Sequence, residues 1–246
     1  MEKRVVVTLT TIPSRSTHVI ETVRSILNGT LKPDMLYVNI PRYYKRLETV
    51  PDPKLIEALE RAGVKVILCE DQGTLTKVIP ILNIEPDPET LIVIIDDDQV
   101  YSPGLLEHLV KGHREFQCAV GFSGIGYPDG PNARYRISWG HGAPTDILEG
   151  SSGMLMSRKA FDGFPDCSQE SLLWKCDDYV YARLCDRNRV PKRVISYKNI
   201  GRFGDDFSSI RTSDESSQVH SLSRENNHLF NYYECSKEFK NSLSHF

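Results

Sequence analysis

Short runs of apolar residues without alternation punctuate the first half of the chain. Each gives way to a stretch whose apolar residues return every three or four positions. Arg4–Leu9, Met35–Ile40, Val64–Leu68, Leu91–Ile95 and Ala119–Phe122 read as strands, and the run LIVII at Leu91–Ile95 is the least interrupted. A run apolar at every position belongs to a strand buried on both faces, as in a mostly parallel sheet. Within His18–Leu27, Val19, Ile20, Val23, Ile26 and Leu27 recur at helical spacing, and Asn28-Gly29 supplies the stop. Pro53–Ala62, Gly73–Leu82 and Gly104–Lys111 are the next expected helices, the last opened by Ser102 and Pro103. The order begins βαβαβ and keeps alternating. The predicted fold class is therefore α/β, a Rossmann-like domain with a mostly parallel central sheet and helices on both faces through right-handed crossovers.

The second half is less regular. Ser123–Gly150 is rich in Gly, Pro, Tyr and Trp, a composition suited to a substrate-facing excursion or hairpin. Regular structure is expected again at Ser152–Met156, as a helix over Asp177–Asp186, and as a late strand at Val194–Tyr197. Gly201–Asn227 is polar with few apolar anchors, which predicts a mobile flap. No internal repeat or interdomain linker breaks the pattern, so residues 1–246 are expected to form one domain.

Composition narrows the function classes. With 246 residues, 39% of them hydrophobic, the chain can bury a sizeable core. A formal net charge of −3 gives no electrostatic footprint for nucleic acid or an anionic membrane. No apolar stretch approaches the roughly 20 residues of a membrane-spanning helix, and because Met1–Arg4 runs straight into the first strand no signal peptide is expected. Cys69, Cys118, Cys167, Cys176, Cys185 and Cys235 are scattered without zinc-site spacing, so reduced thiols in a cytoplasmic setting are expected. A lumenal domain trimmed of an anchor has the same composition.

The most informative chemistry is the acidic end of the fourth strand, Asp96-Asp97-Asp98. In open α/β sheets ligands bind beyond the carboxyl ends of the strands, and three carboxylates there repel one another unless a cation or proton offsets them. Strand geometry predicts Asp96 and Asp98 on one side, about 6 to 7 Å apart at Cα, with Asp97 facing the other way. The working unit is then Asp-x-Asp with a divalent metal; the bland alternative is a solvated acidic turn capping the next helix. In CEDQGTLTKVIP, Asp71 lies just past the third strand, Gly73 permits a tight turn, and Lys77 begins a helix whose amides favour an anion. Asp71 suits a base or sugar hydrogen bond, or equally a helix cap. Gly150-Ser151-Ser152-Gly153 lets a ligand approach backbone amides, and Asp177-Asp178 at a helix start suits either capping or a basic role toward a hydroxyl. His141 and His220 sit in loops, as metal ligands or as solvated surface residues.

Taken in order, TLTTIPSR, CEDQGTLTK, IIDDDQVYSPGLLEHL, LEGSSGMLMSR and CDDYVYARL resemble nucleotide-sugar glycosyltransferases of the GT-A fold. The closest resemblance is to the compact family-2-type enzymes of bacteria and large algal viruses, and it spans Val5–Ser196. It implies a hexosyltransferase of glycan biosynthesis that moves sugar from a nucleoside-diphosphate sugar, UDP first, to an acceptor hydroxyl, with Mn²⁺ or Mg²⁺ and inversion. Residues 1–122 would then be the nucleotide-sugar half, 123–200 the acceptor half and 201–246 the flap. Thr8, Thr10, Thr11, Ile12 and Arg15 would line the nucleotide pocket, with Asp71 on the base, Lys77 at the diphosphate, and Asp96 and Asp97 on the ribose or sugar. Asp98, with Asp96 and a tail residue such as His220, would hold the metal. Gly150, Ser151, Ser152 and Gly153 would form the acceptor-side turn, and Asp178, or in second place Asp177, would be the general base. Many relatives have Glu-Asp where this chain has Asp177-Asp178, which leaves the division of roles within the pair open.

Three rival readings come from other classes. Asp96-Asp97-Asp98-Gln99-Val100 fits the strand end of haloacid-dehalogenase-like phosphohydrolases, with Asp96 as nucleophile and Gly204-Asp205-Asp206 as the distal acidic motif. In those enzymes, however, the nucleophile usually ends the first core strand, and here three strands precede it. A sugar-nucleotide pyrophosphorylase would need a Gly-rich turn that TLTTIPSR lacks. A non-enzymatic carbohydrate-binding module could stack sugars on Tyr127, Tyr135 and Trp139, but it leaves the acidic strand end unexplained.

Overall fold

The computed structural model describes residues 3–126, 140–164, 176–195 and the backbone of 208–209. Its main sheet is built from β1 (Val5–Thr10), β2 (Met35–Pro41), β3 (Lys65–Cys69), β4 (Leu91–Ile94), β6 (Ala119–Gly121), β8 (Ala143–Pro144), β10 (Met154–Ser157) and β11 (Lys192–Val194), in the spatial order β3-β2-β1-β4-β10-β6-β11-β8. β1 is parallel to β2 and β4, β2 to β3, and β11 to β6; β10 runs antiparallel between β4 and β6. The mostly parallel sheet expected from the apolar runs is therefore present. The late strand is Lys192–Val194, shifted toward the N-terminus from Val194–Tyr197, because it is the three residues Lys192, Arg193 and Val194 that pair with β6.

Side chains leave each strand alternately to two cores. Val5, Val7 and Leu9, Leu91, Val93 and Ile95, and Leu36, Val38 and Ile40 face one side. Three helices cover that side: α1 (Ser16–Leu27) through Val19, Val23 and Ile26, α2 (Pro53–Arg61) through Leu55 and Leu59, and α3 (Leu105–Phe116) through Leu105, Leu106 and Leu109. Val6, Ile92, Ile94, Met154 and Met156 face the other side, where Leu75, Val78 and Ile81 and the helix α4 (Asp177–Arg187) close over them. Each fully buried aliphatic side chain contributes about 1.5 to 3 kcal/mol of transfer free energy, so these two layers fix the period-2 register.

The expected helix over Gly73–Leu82 is replaced by two 3₁₀ turns, Gly73–Lys77 and Ile79–Ile81. Pro80 is the reason: it has no N–H for the Thr76 carbonyl, and in an α-helix its ring would clash with that carbonyl, so the chain departs from helical angles at Val78. Lys77 therefore ends a turn rather than beginning a helix, and the expected anion-binding row of helix amides is absent from this segment. Its carbonyl accepts instead from Thr8 Oγ1 at 2.5 Å and from Asn39 Nδ2 at 2.9 Å.

The excursion begins and ends in a short antiparallel pair, β7 (Gly124–Ile125) with β9 (Ile147–Leu148). Tyr127, Tyr135, Trp139, Cys167, Tyr197, Gly204-Asp205-Asp206, His220 and Cys235 lie outside the described residues. So does the expected flap Gly201–Asn227, except that β12 (Ser208–Ser209) pairs antiparallel with β5 (Gln99–Val100). Among the described residues Cys69, Cys118, Cys176 and Cys185 are free thiols, and no helix is long and apolar enough to cross a membrane.

At the amino end of β1, Arg4 donates to Glu85 through Nε at 2.9 Å and Nη2 at 2.8 Å, and Tyr37 Oη donates at 2.6 Å. The Arg4 hydrogen bonds hold the Glu85 carboxyl below its usual range against the opposing effect of burial. A depressed folded-state value adds stability above the ordinary glutamate pKa, about 4.3, that is lost as pH falls through the folded one. Glu85→Gln should cost about 1 to 2 kcal/mol at pH 7, allowing for the screened guanidinium. Urea denaturation should show that deficit shrinking as the solution is acidified below the ordinary value.

Candidate active site

The carboxyl ends of β1, β2, β3 and β4 share one edge of the sheet. Because β10 is antiparallel, with Met154 opposite Ile94, the turn that precedes it reaches the same edge. Beyond Ile95, whose N–H still donates to the Thr8 carbonyl at 3.2 Å, the chain leaves the main sheet, and α1 fastens it instead. Thr22 Oγ1 lies 2.9 Å from the Asp97 carbonyl and 2.8 Å from the Gln99 carbonyl, and the Tyr101 N–H donates to Ser25 Oγ at 3.1 Å.

This change of support alters the expected alternation of the acidic triplet. Asp97 is buried; its Oδ2 accepts from Thr11 Oγ1 and its Oδ1 from Arg15 Nη1, both at 2.7 Å. The same Arg15 nitrogen lies 3.4 Å from Asp98 Oδ2, so Asp97 and Asp98 share a cation rather than pointing apart. The main-sheet ladder that enforces alternation has ended at Ile95, and the triplet follows its fastenings instead. Asp96 accepts from Lys77 Nζ at 2.6 Å.

Lys77 also donates to Asp177 Oδ2 at 2.9 Å, which places the start of α4 over the end of β4. Burial works against its charge, but Asp177 and Asp96 outweigh that, and the ammonium is held well above the ordinary lysine value. Asp178 accepts the Gly150 N–H at Oδ1, 3.1 Å away. Burial, and then the neighbouring Asp177, push the Asp178 carboxyl well up, with Lys77 opposing. The N-cap residue Cys176 makes no side-chain cap bond, and Asp177 and Asp178 occupy the first turn of α4. A Cβ at Gly150 would meet Asp178 Oδ1 at 2.8 Å, and Gly153 has φ +85°, which accounts for the two glycines of the turn. Ser152 is buried within the turn, and the Ser151 carbonyl lies 3.3 Å from Tyr101 Oη.

Other predicted residues take internal partners. Asp71 is buried, and its oxygens accept the N–H groups of Lys45 at 2.8 Å and Gly73 at 2.9 Å, the geometry of an Asx turn. Thr10 Oγ1 donates to the Asn39 carbonyl at 2.8 Å, and Ile12 packs on the first core. His141 stands apart from the acidic edge, 3.2 Å from Glu115. Sequence reasoning missed Asn39, Thr22, Ser25 and Tyr101. Thr22 carried a signal, being a polar residue within the apolar face of α1 between Val19 and Val23.

The donor set suits a hard divalent cation. The Asp98 carboxyl is pushed up by burial and then by Asp96, with Arg15 acting against them, so a further positive charge would favour its ionised form. Among the described residues no group of three or more His, Cys, Asp or Glu side chains is arranged around one ion position. Arg15 Nε and Tyr181 Oη are buried without a hydrogen-bond partner among the described residues.

Removing the Lys77 charge strands buried carboxylates. Lys77→Met should lower stability by about 3 to 5 kcal/mol near pH 7.5. The variant's Asp178 would rise further above its unfolded value, and a raised carboxyl loses its penalty as pH falls. Chemical denaturation should therefore show a smaller deficit at pH 5 than at pH 7.5. An equal deficit at both would mean that Asp178 does not sense the ammonium.

No protein-family model matches the chain, and no curated protein does. Solved structures do match. The mannosyltransferase PcManGT of Pyrobaculum calidifontis, in complex with GDP-Man and Mn²⁺, aligns with TM-score 0.59 and 14% identity over 98% of this chain and 65% of that one. Glucosyl-3-phosphoglycerate synthase of Mycobacterium tuberculosis, in complex with Mn²⁺, UDP and phosphoglyceric acid, aligns with TM-score 0.53 and 13% identity over 79% and 68%. The sheet order, the acidic edge and these likenesses agree: the chain has the GT-A fold expected from its motifs.

Proposed function

We propose that the chain is a divalent-cation-dependent glycosyltransferase that moves a sugar from a nucleoside-diphosphate sugar to an acceptor hydroxyl with inversion. One observation carries this reading. Asp96–Asp98 at the carboxyl edge of β4 and the Gly150–Asp178 pair meet on one edge of the sheet, joined by Lys77 between Asp96 and Asp177. The structural neighbours, crystallised with Mn²⁺ and UDP or GDP-Man, support the same choice of ligand.

Asp96 and Asp98 would hold Mn²⁺ or Mg²⁺, which offsets the diphosphate charge and assists its departure. Asp71 would accept an N–H of the base, uracil first, with its remaining lone pairs. Thr11 and Arg15 keep Asp97 and Asp98 in place beside the donor. Gly150 orients Asp178 through its N–H, and Asp178 takes the proton of the acceptor hydroxyl as that oxygen attacks the sugar carbon opposite the leaving group. A carboxyl raised by burial is a stronger base than a solvated one, which suits this role. Asp177 would be the positioning residue, through Lys77. The phosphohydrolase reading loses support because Asp96 is paired with Lys77 and follows three earlier strands of a GT-A sheet.

Incubation with UDP- and GDP-sugars should release nucleoside diphosphate only with Mn²⁺ or Mg²⁺, and Asp98→Ala should abolish the metal response with the fold retained. Equal turnover in EDTA would remove the metal from the reaction. Asp178→Asn should slow transfer about 10²- to 10⁴-fold with donor affinity kept, and Asp177→Asn should cost less. The wild-type rate should fall as pH drops through the raised Asp178 value. A product keeping the donor's anomeric configuration would exclude the direct displacement.

A further inference from the structure

Tyr101 lies immediately after the acidic triplet, and its side chain is 3% exposed. Its phenol oxygen accepts the backbone N–H of Asp96 at 2.9 Å and donates to the Ser151 carbonyl at 3.3 Å. One hydroxyl therefore joins the strand end that presents Asp96 to the turn whose Gly150 N–H holds Asp178. The Tyr101 backbone is itself fixed: its N–H donates to Ser25 Oγ, which donates to the Thr22 carbonyl at 2.7 Å, while Thr22 holds the Asp97 and Gln99 carbonyls. The path Asp96 N–H, Tyr101 Oη, Ser151 C=O, Gly150 N–H, Asp178 is thus three hydrogen bonds and one covalent segment, the Gly150–Ser151 main chain, between the two halves of the site.

The geometry points to Tyr101 as a positioning residue that couples occupancy of the Asp96–Asp98 edge to the alignment of the Gly150–Gly153 turn and Asp178. The second path between the halves, Asp96 to Lys77 to Asp177, is a set of ion pairs. A cation at Asp96 competes with Lys77 for that carboxylate, which weakens the ionic path at the moment a ligand arrives. The Tyr101 path runs through the Asp96 main chain and is untouched by that competition. It therefore maintains register between donor and acceptor sides when the site is filled. This inference rests on the reading of Asp96–Asp98 as a cation site.

The test uses the full chain and Mn²⁺ alone, with hydrogen exchange followed in peptides covering residues 148–156 and 176–184. In the wild type, saturating Mn²⁺ should slow exchange in both peptides about 5-fold or more. Tyr101→Phe should bind Mn²⁺ with nearly unchanged affinity, which also reports that the acidic edge is folded, and show no slowing in either peptide. Ser25→Ala releases the Tyr101 amide while keeping the phenol, and it should lose part of the response. In turnover, Tyr101→Phe should lower kcat about 10-fold or more while leaving the donor KM unchanged. Equal slowing in wild type and Tyr101→Phe, no slowing in a wild type that binds Mn²⁺, or an undiminished response in Ser25→Ala would each overturn the coupling. A wild type that binds no Mn²⁺ would overturn the cation reading itself, and the coupling with it.

Discussion

The arrangement depends on one partly buried ammonium between two carboxylates. Asp96 ends a central strand, Asp177 opens a helix on the far side of the chain, and Lys77 lies within 2.6 and 2.9 Å of them. Three partly buried charges of this kind would be costly in any other grouping, because removing one leaves the others desolvated. The fold meets the cost by holding Lys77 from behind. Pro80 breaks the helix that would have used the Lys77 carbonyl, and Thr8 and Asn39 hold it instead. A proline, a threonine and an asparagine thus position the charge that joins the two halves of the site.

The second constraint is electrostatic surplus. Asp96, Asp97, Asp98, Asp177 and Asp178 crowd an edge where Lys77 and Arg15 are the cations within ion-pair distance among the described residues. Burial and mutual repulsion push Asp98 and Asp178 up for separate reasons, the first beside Asp96 and the second beside Asp177. Two carboxyls are thus raised at the two ends of one edge; in the proposed reaction the one in the triplet would take added positive charge and the one at the Gly150 turn would take a proton.

The strand pattern was legible because burial on both faces leaves an unmistakable record: LIVI in β4 and VVVTL in β1 are apolar at nearly every position. The helices of one face were legible too, since their apolar residues repeat at 3.6. The Gly73–Leu82 segment was misread because its apolar spacing is helical while Pro80 acts on the backbone, which spacing does not register. At the site, the acidic triplet and the Asp177-Asp178 pair stood out by charge, and the Gly150–Gly153 turn by composition. The contacts between them could not be read, because Lys77 and Asp177 are a hundred residues apart and meet only through the fold. The residues that shape the edge by holding backbone, Thr22, Ser25 and Asn39, are ordinary polar residues whose role depends on which carbonyl faces them.

That backbone support has an evolutionary corollary. The bend carrying Asp97, Asp98 and Gln99 keeps its course through the carbonyls of Asp97 and Gln99 and the amide of Tyr101, all tied to α1. The Asp98 side chain adds an ion pair to Arg15 at 3.4 Å and accepts from Gln99 Nε2 at 3.3 Å, while the course of the bend is held by those main-chain ties. A loop whose path is set by its main chain can exchange the functional group it displays without being rebuilt. Selection on the group displayed at position 98 is thereby partly decoupled from selection on the path of the bend.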